Sequence, residues 1–320
     1  MLRQIGLLGL FAVLATPAQA TAPSKLTQLE QPQTAHIPFD PPIDKPVRYR
    51  WEKSVHKDEK TRSTWSISEY RFTRVGDGFE LQVTPIDSGT SETDPTTLAA
   101  YRQLEQLISR PFILQLGADG TINSMKDQDH YWSAIVSVLK EALSKRPPQG
   151  ADEAAFRTAA NGVIQFYETM PAETRLTLLT ESVQPLVEFG GTETTVGEPL
   201  IASLDTASPF GGTLKQDVNV RLERVEGDKA HLVVGSSIPR AELQKLAEKM
   251  LCKLLTGKQE AEIKAGLAAL QKYRHDTVAT FVVSTRDGML ESYSSSETIE
   301  VQDNGKVERR ITTKTLSQTH

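Results

Sequence analysis

Apolar and polar positions alternate with a period of two along several stretches of the chain. Val47, Tyr49, Trp51 and Val55 alternate with Arg48, Arg50, Glu52 and His56, the pattern of a half-buried strand. Trp65 and Ile67, then Tyr70 and Phe72, predict a second strand, and the change of phase between Ile67 and Tyr70 predicts a bulge or twist there. Gly76-Asp77-Gly78 turns the chain into a third strand carrying Phe79, Leu81 and Val83. Phe112, Leu114 and Leu116 lead to a turn at Asp119-Gly120 and a partner strand beginning at Ile122. The second half repeats the alternation. Val218, Val220 and Leu222 alternate with polar residues, Glu226-Gly227-Asp228 turns, and Ala230, Leu232 and Val234 return. Three closing strands are predicted over 277–285, 289–301 and 306–316, with hairpin turns at Asp287-Gly288 and Asn304-Gly305.

Between these meanders the period changes to that of a helix. Leu98, Tyr101, Leu104 and Ile108 predict a helix over 96–109, and Tyr131, Ile135, Val138, Leu139 and Ala142 share one face of a longer helix starting near Asp127. Further helices are predicted over 152–170, 171–179, 239–255 and 258–273, with Thr256 and Gln259 forming a capping box between the last two. The succession predicts an α+β protein: curved antiparallel sheet built from N- and C-terminal meanders, with helices packed on one face. The last strands are rich in serine and threonine, so at least one face of that sheet is expected to be wet.

The N-terminus departs from both periods. Arg3 precedes an apolar run over 5–15, and small residues Ala18 and Ala20 follow, which is the three-part pattern of a secretory signal peptide covering 1–20. The run falls short of the roughly 20 apolar residues that span a bilayer. The expectation is therefore a periplasmic or secreted protein, soluble after cleavage near Ala20, with no transmembrane segment in the mature chain. Residues 21–46 are rich in Pro, Gln and Thr and predict an extended linker or a surface strap. An α+β domain over 47–320 then follows.

Charge and cysteine content narrow the class of partner. The chain has 36 basic and 41 acidic side chains, a net charge of −5. Loss of 1–20 removes Arg3 and no acidic residue, which leaves 35 basic against 41 acidic and a net charge of −6. A mildly acidic protein has no overall electrostatic attraction to nucleic acid. Cys252 is the only cysteine, so no internal disulfide forms and stability must come from burial. It lies in a segment with helical spacing and is expected to be a small buried hydrophobe.

Two parts of the chain look alike. Asp119-Gly120-Thr121-Ile122-Asn123-Ser124 aligns with Asp287-Gly288-Met289-Leu290-Glu291-Ser292, each preceded by a strand with an aromatic residue, Phe112 or Phe281. Hairpins entered through Arg74-Val75 and Arg224-Val225 lie further upstream. Two related halves, 47–190 and 191–320, account for this, and so does the general recurrence of Asp-Gly turns.

No motif specifies a reaction. The chain contains no G-x-S-x-G, H-E-x-x-H, Walker-type loop or paired C-x-x-C. Ser54/Lys57 and Ser137/Lys140 match S-x-x-K without the partner motifs that chemistry needs. Asp127, Asp129 and His130 are the densest set of candidate metal ligands or acid–base groups, and equally suit the capped start of a helix. His275, with Asp276, is expected to be solvated at a junction between helix and strand. The aromatics Trp51, Trp65, Tyr70, Phe72, Tyr131 and Trp132 predict packing between sheet and helices, with an apolar ligand cleft at that interface as the functional reading. No cofactor is expected.

The run Val196-Gly197-Glu198-Pro199 leading into a strand, the hairpin from Arg224-Val225 to Ala230-His231-Leu232 and the Asp287-Gly288 turn resemble a group of exported bacterial domains of unknown function. Their layout, a curved antiparallel sheet with covering helices, is similar to that of the lipoprotein-carrier and lipid-binding proteins of the bacterial envelope. The resemblance implies an envelope protein with an apolar cleft under its helices, and supplies no catalytic residue. Three functions follow as expectations. The first is a non-enzymatic binding module for an apolar small molecule or an envelope protein. The second is a structural or assembly partner acting through exposed strand edges. The third is a hydrolase-like enzyme with a dispersed site near Asp127, Asp129 and His130.

Overall fold

A computed structural model describes residues 33–144, 152–207, 213–239, 241–242, 245, 273–303 and 306–319. The predicted signal peptide, Cys252, most of the two helices predicted between 239 and 273, and the Asn304-Gly305 turn lie outside these residues.

The α+β expectation holds. Eleven antiparallel strands form one sheet in the order β6-β5-β4-β3-β2-β13-β12-β11-β10-β9-β8. The N-terminal meander supplies β2 (Val47–Lys57), β3 (Lys60–Val75), β4 (Gly78–Thr90), β5 (Phe112–Leu116) and β6 (Ile122–Met125). The C-terminal half supplies β8 (Leu200–Ala207), β9 (Thr213–Glu226), β10 (Lys229–Ser237), β11 (Tyr273–Ser284), β12 (Leu290–Asp303) and β13 (Lys306–Thr319). The two meanders join where β13 pairs with β2. β11 starts at Tyr273, in a stretch whose spacing predicts helix; the strand carries the chain up to its pairing with Val301.

The bulge anticipated near Ile67 is present as a register shift between Ile67 and Ser68 in the β3–β4 ladder. The extra residue there is Ile86 of β4; β3 pairs with β2 without a shift, so Trp65 and Ile67 face one side of the sheet and Tyr70 and Phe72 the other, which is why the apolar phase changes there.

The sheet curves strongly, and two sets of contacts show it. A helical layer follows β6: α2 (Gln128–Ser144), α3 (Glu153–Glu168) and α4 (Ala172–Leu179). Trp132 and Val136 of α2, with Phe166 and Met170, pack against Leu214 of β9. β6 and β9 lie near opposite edges of the sheet, so the layer spans the concave side. At the other end of the strands, the turns β5–β6 and β11–β12 meet the same segment, Pro38-Phe39. Gly120 and Gly288 take left-handed φ values of 88° and 74°. A Cβ on Gly120 would touch the Phe39 ring, and one on Gly288 would overlap the Pro38 carbonyl. Glycine is required at Gly288 for its φ and for the close approach of Pro38.

Part of the segment expected as linker or surface strap thus belongs to the core. β1 (Thr34–Ile37) pairs with β7 (Thr192–Thr195) in a separate two-stranded sheet. Ala35, Ile37 and Phe39 are buried, and Phe39 meets Phe72 and Phe79 edge-on at 6.0 and 5.2 Å. With Val183, Leu186, Val187 and Phe189, around the short helix α5 (Gln184–Val187), these residues fill the lower concave face. α1 (Pro95–Ile108) is capped by Asp94, whose carboxylate accepts from the Thr97 N–H.

Candidate functional site

Cross-strand partners share a face, so the ladder registers divide the concave surface into rows running across the strands. One row, low on this face, comprises Trp51, Leu316, Tyr293, Phe281, Leu232 and Leu222. It is aromatic and filled. Trp51 stacks on Tyr293 at 6.1 Å, and Phe281 lies 4.9 Å from Tyr293 and 4.8 Å from Phe189. Just below, the Tyr49 hydroxyl donates to the Leu290 carbonyl at 2.6 Å. Burial, reinforced by Tyr70, Asp287 and Glu291, pushes the Tyr49 pKa far above the ordinary tyrosine value.

The next row upward is graded. It runs Lys53, Lys314, Ser295, Ala279, Val234, Val220, Leu200. Two cations stand at one end, small residues in the middle and aliphatic residues at the other end, where Leu200 is 49% exposed. Lys53 and Lys314 are direct cross-strand neighbours, a placement that repels unless an anion lies between them. Glu181, between α4 and α5, is that anion. Lys53 donates to both its carboxylate oxygens at 3.0 Å, and Lys314 lies 2.9 Å from one of them. Burial disfavours the charge of Glu181, but Lys53 and Lys314 outweigh it and hold its pKa below the usual range. For Lys314, burial is likewise outweighed by Glu181 and Glu297, and its pKa is raised.

These groups are mostly enclosed. Lys53, Lys314 and Glu181 keep 22%, 13% and 26% of their side-chain surface accessible. Glu188 accepts from the Gln184 side-chain amide at 2.8 Å, and desolvation raises its pKa against that bond. Burial raises the Tyr293 pKa, eased by the hydrogen bond to Ser295 and by Lys314, with Glu181 and Glu188 adding to the rise.

The third row is Val55, Thr312, Glu297, Thr277, Ser236, Val218 and Ala202. Glu297 and His275 are both buried, with His275 Nε2 2.9 Å from Glu297 Oε1. The sequence suggested a solvated His275; it is instead buried, because it belongs to β11 and lies against Glu297. The Gln216 side-chain amide donates to Ser236 Oγ at 2.6 Å.

The structure divides the aromatics expected to line a cleft. Trp51, Tyr70 and Phe72 lie on the concave face, where Tyr70 and Phe72 are fully buried in the core. Trp65 faces the convex side, under the Arg50 guanidinium at 4.4 Å and against Gly89. Tyr131 is half-buried beside Phe112, its hydroxyl donating to the Pro111 carbonyl at 2.8 Å. Trp132 is buried in the helical layer and donates to the Tyr167 carbonyl at 2.9 Å. Asp127 and His130 are exposed at the start of α2, and Asp129, beside them, pairs with Arg175 at 2.8 Å. Among the described residues, no group of three or more His, Cys, Asp or Glu side chains is placed to hold a metal ion, and no helix is long and apolar enough to cross a membrane.

Sequence reasoning missed Lys53, Glu181, Lys314, Glu297 and His275. The polar run of β12 and β13 was the available signal: in a strand, consecutive polar residues fall on both faces, and one of those faces here is internal.

No protein-family model matches the chain, and no curated protein matches it. Among solved structures, a lipovitellin structure described for its lipid–protein interactions aligns with 10% identity and a TM-score of 0.42, over 87% of this chain and 25% of that one. The chain thus spans about a quarter of that protein's length. A porin-like protein from Bacteroides uniformis aligns with 8% identity and a TM-score of 0.17, over 88% of this chain and 99% of that one. At these scores the likenesses settle neither family nor function.

Proposed function

We propose that this is an exported, non-enzymatic binding module that takes an apolar ligand along the graded row of its concave face. The observation that carries this reading is the row itself: Val234, Val220 and Leu200 continue an otherwise filled apolar face out to an exposed rim. Leu204 on the same strand and face is 48% exposed. Exposed apolar surface that continues a core is what ligand grooves present. Export, with cleavage near Ala20, is supported by Arg3, the apolar run 5–15 and the small residues Ala18 and Ala20. Native mass spectrometry of the chain beginning at Thr21, purified from a periplasmic extract without detergent, tests this. An added small-molecule mass that organic extraction removes is expected; a bare monomer mass in repeated preparations would count against the reading.

A second reading rests on β8 as an edge strand. It ends the eleven-stranded sheet and exposes Ile201 at 76%, with no lysine along its length. Such an edge invites strand addition by a partner. Concentration-dependent sedimentation that Ile201→Lys abolishes would favour it over the ligand groove.

A further inference from the structure

We propose that the strand received at the β8 edge is β8 of a second copy of this chain, paired antiparallel across a two-fold axis at Ala202. This deepens the strand-addition reading and rests on it.

Of the two edges of the large sheet, β6 has four residues and β8 has eight. Natural edge strands are blunted by shortness, proline, lysine or a bulge. Leu200–Ala207 contains no proline, glycine or lysine, and its ladder with β9 runs from Leu200↔Val220 to Ala207↔Thr213 without a register shift. Among the described residues no strand pairs with its outer side. Apolar side chains stand exposed on both faces: Ile201 at 76% on the convex face, Leu200 and Leu204 at 49% and 48% on the concave face. A ligand in the concave groove would meet only the two leucines. A strand laid alongside meets all three residues.

The sequence of β8 fits itself best in one register. A two-fold axis normal to the sheet keeps each face continuous, so opposite residues always belong to the same face. With the axis at Ala202, Leu200 of each copy lies opposite Leu204 of the other on the concave face, and Ala202 meets its own counterpart between them. On the convex face each Ile201 lies opposite Ser203 of the other copy, and the two Ile201 side chains become diagonal neighbours.

Charge selects the same register. Asp205 is the one charged residue of β8, and Lys215 is its cross-strand neighbour within the chain. With the axis at Ala202, Asp205 falls in the row just beyond the Leu200↔Val220 pair of the second copy, which is the row of Arg221 on β9. Arg221 is exposed on the same convex face. The two residues are then two strand spacings apart, roughly 10 Å between backbones, a gap that an arginine side chain bridges. Arg221 donates to Glu223 at 2.9 Å with one nitrogen and has donors to spare. The symmetry makes this contact twice. Moving the axis to Ile201 carries Asp205 from Arg221 toward Glu223, a like charge. Moving it to Ser203 sets Asp205 directly opposite Ile201.

Register-specific disulfides test the assignment. In the full chain from Thr21, Cys252→Ser removes the only native thiol. Single cysteines are then placed at three exposed positions: Ile201→Cys, Ala202→Cys and Ser203→Cys. A cysteine meets its own counterpart only on the axis, where the Cα atoms lie about 4.5–5.5 Å apart, within disulfide range. Under mild oxidation of dilute protein, Ala202→Cys is expected to give at least about tenfold more linked dimer than either neighbour. Adding Ile201→Lys to that chain should remove the excess, because two lysines then meet across the axis. Linking that favours Ile201→Cys or Ser203→Cys instead overturns the register. Equal, weak linking at all three positions, with a monomer in sedimentation, overturns the second copy as partner. Hydrogen exchange of the β8 amides separates that failure from failure of the strand-addition reading. Fast exchange in the monomer leaves the edge open to a different strand, so only the second copy falls. Slow exchange in the monomer means that the chain covers its own edge, and both fall.

Discussion

The lower aromatic row and the graded row above it lie side by side on one sheet face, yet they have opposite characters. The lower row meets the Pro38-Phe39 segment, α5 and Phe189, and every large side chain there has a partner. The graded row meets Glu181 instead, through Lys53 and Lys314. The difference lies less in the sheet than in what is laid on it. A strand face becomes apolar core where another element brings matching apolar side chains, and a polar contact where that element brings charge.

Injury to the filled side of this contrast should have the largest effect. Phe72 is fully buried against Phe39, so Phe72→Ala should cost about 3–5 kcal/mol in urea-induced unfolding. A loss below about 1 kcal/mol would mean that this part of the face is not core. Gly288→Ala comes next. It forces a side chain into a left-handed turn against the Pro38 carbonyl, and should lower stability by about 2 kcal/mol, with loosening of the N-terminal segment visible as faster proteolysis near Phe39.

In the graded row the effects are smaller and depend on pH. Glu181→Gln leaves Lys53 and Lys314 facing each other without an anion, at a cost of about 1–2 kcal/mol given their residual solvent access. Because the folded pKa of Glu181 is lowered, its contribution is present above the ordinary glutamate value of about 4.3 and disappears as pH falls through the folded value. Thermal melts of wild type and variant from pH 7 downward should converge at the acidic end. Glu188 has the reverse sign. Its folded pKa is raised, so the protonated form stabilises the protein below the ordinary glutamate value, and that benefit is lost as pH rises through the folded value. Glu188→Gln should therefore melt no lower than wild type at pH 7, and a clear drop there would show that its charge is needed. Smallest of all in stability is Leu200→Asn at the exposed rim, expected within about 0.5 kcal/mol. Its measurable consequence is weaker uptake of an apolar probe.

The architecture was legible in the sequence where local chemistry decides it. Two-residue periodicity marked β2 to β5, β9 and β10, and glycine-containing turns placed the hairpins. The same Asp-Gly device recurs at both places the sequence aligned: Asp119 accepts from the Thr121 N–H at 3.0 Å and Asp287 from the Met289 N–H at 3.1 Å. The strands β3 to β6 and β9 to β12 also each run in consecutive antiparallel order; that these are copies of one ancestral unit is our proposal. What was not legible depends on long-range contact. Ala35, Ile37 and Phe39 alternate with Thr34, His36 and Pro38, but the run is short and set in a proline-rich stretch, and it becomes core only through the curvature that brings two distant turns onto Phe39. The ion cluster is assembled by Lys53, Glu181 and Lys314, which are far apart in the chain and have no motif in common. Trp65 looked like its aromatic neighbours because a strand's sequence does not say which face will be inside.

Photocrosslinking asks whether the graded row holds an apolar chain. The folded mature protein is irradiated with a long-chain alcohol carrying a diazirine near its tail, and the labelled peptides are mapped by mass spectrometry. Labelling concentrated on Leu200, Val218, Val220 and Val234, and reduced by an excess of unlabelled alcohol, is the predicted result. Labelling that avoids these strands, or that falls on the convex side around Trp65 and resists competition, would contradict it.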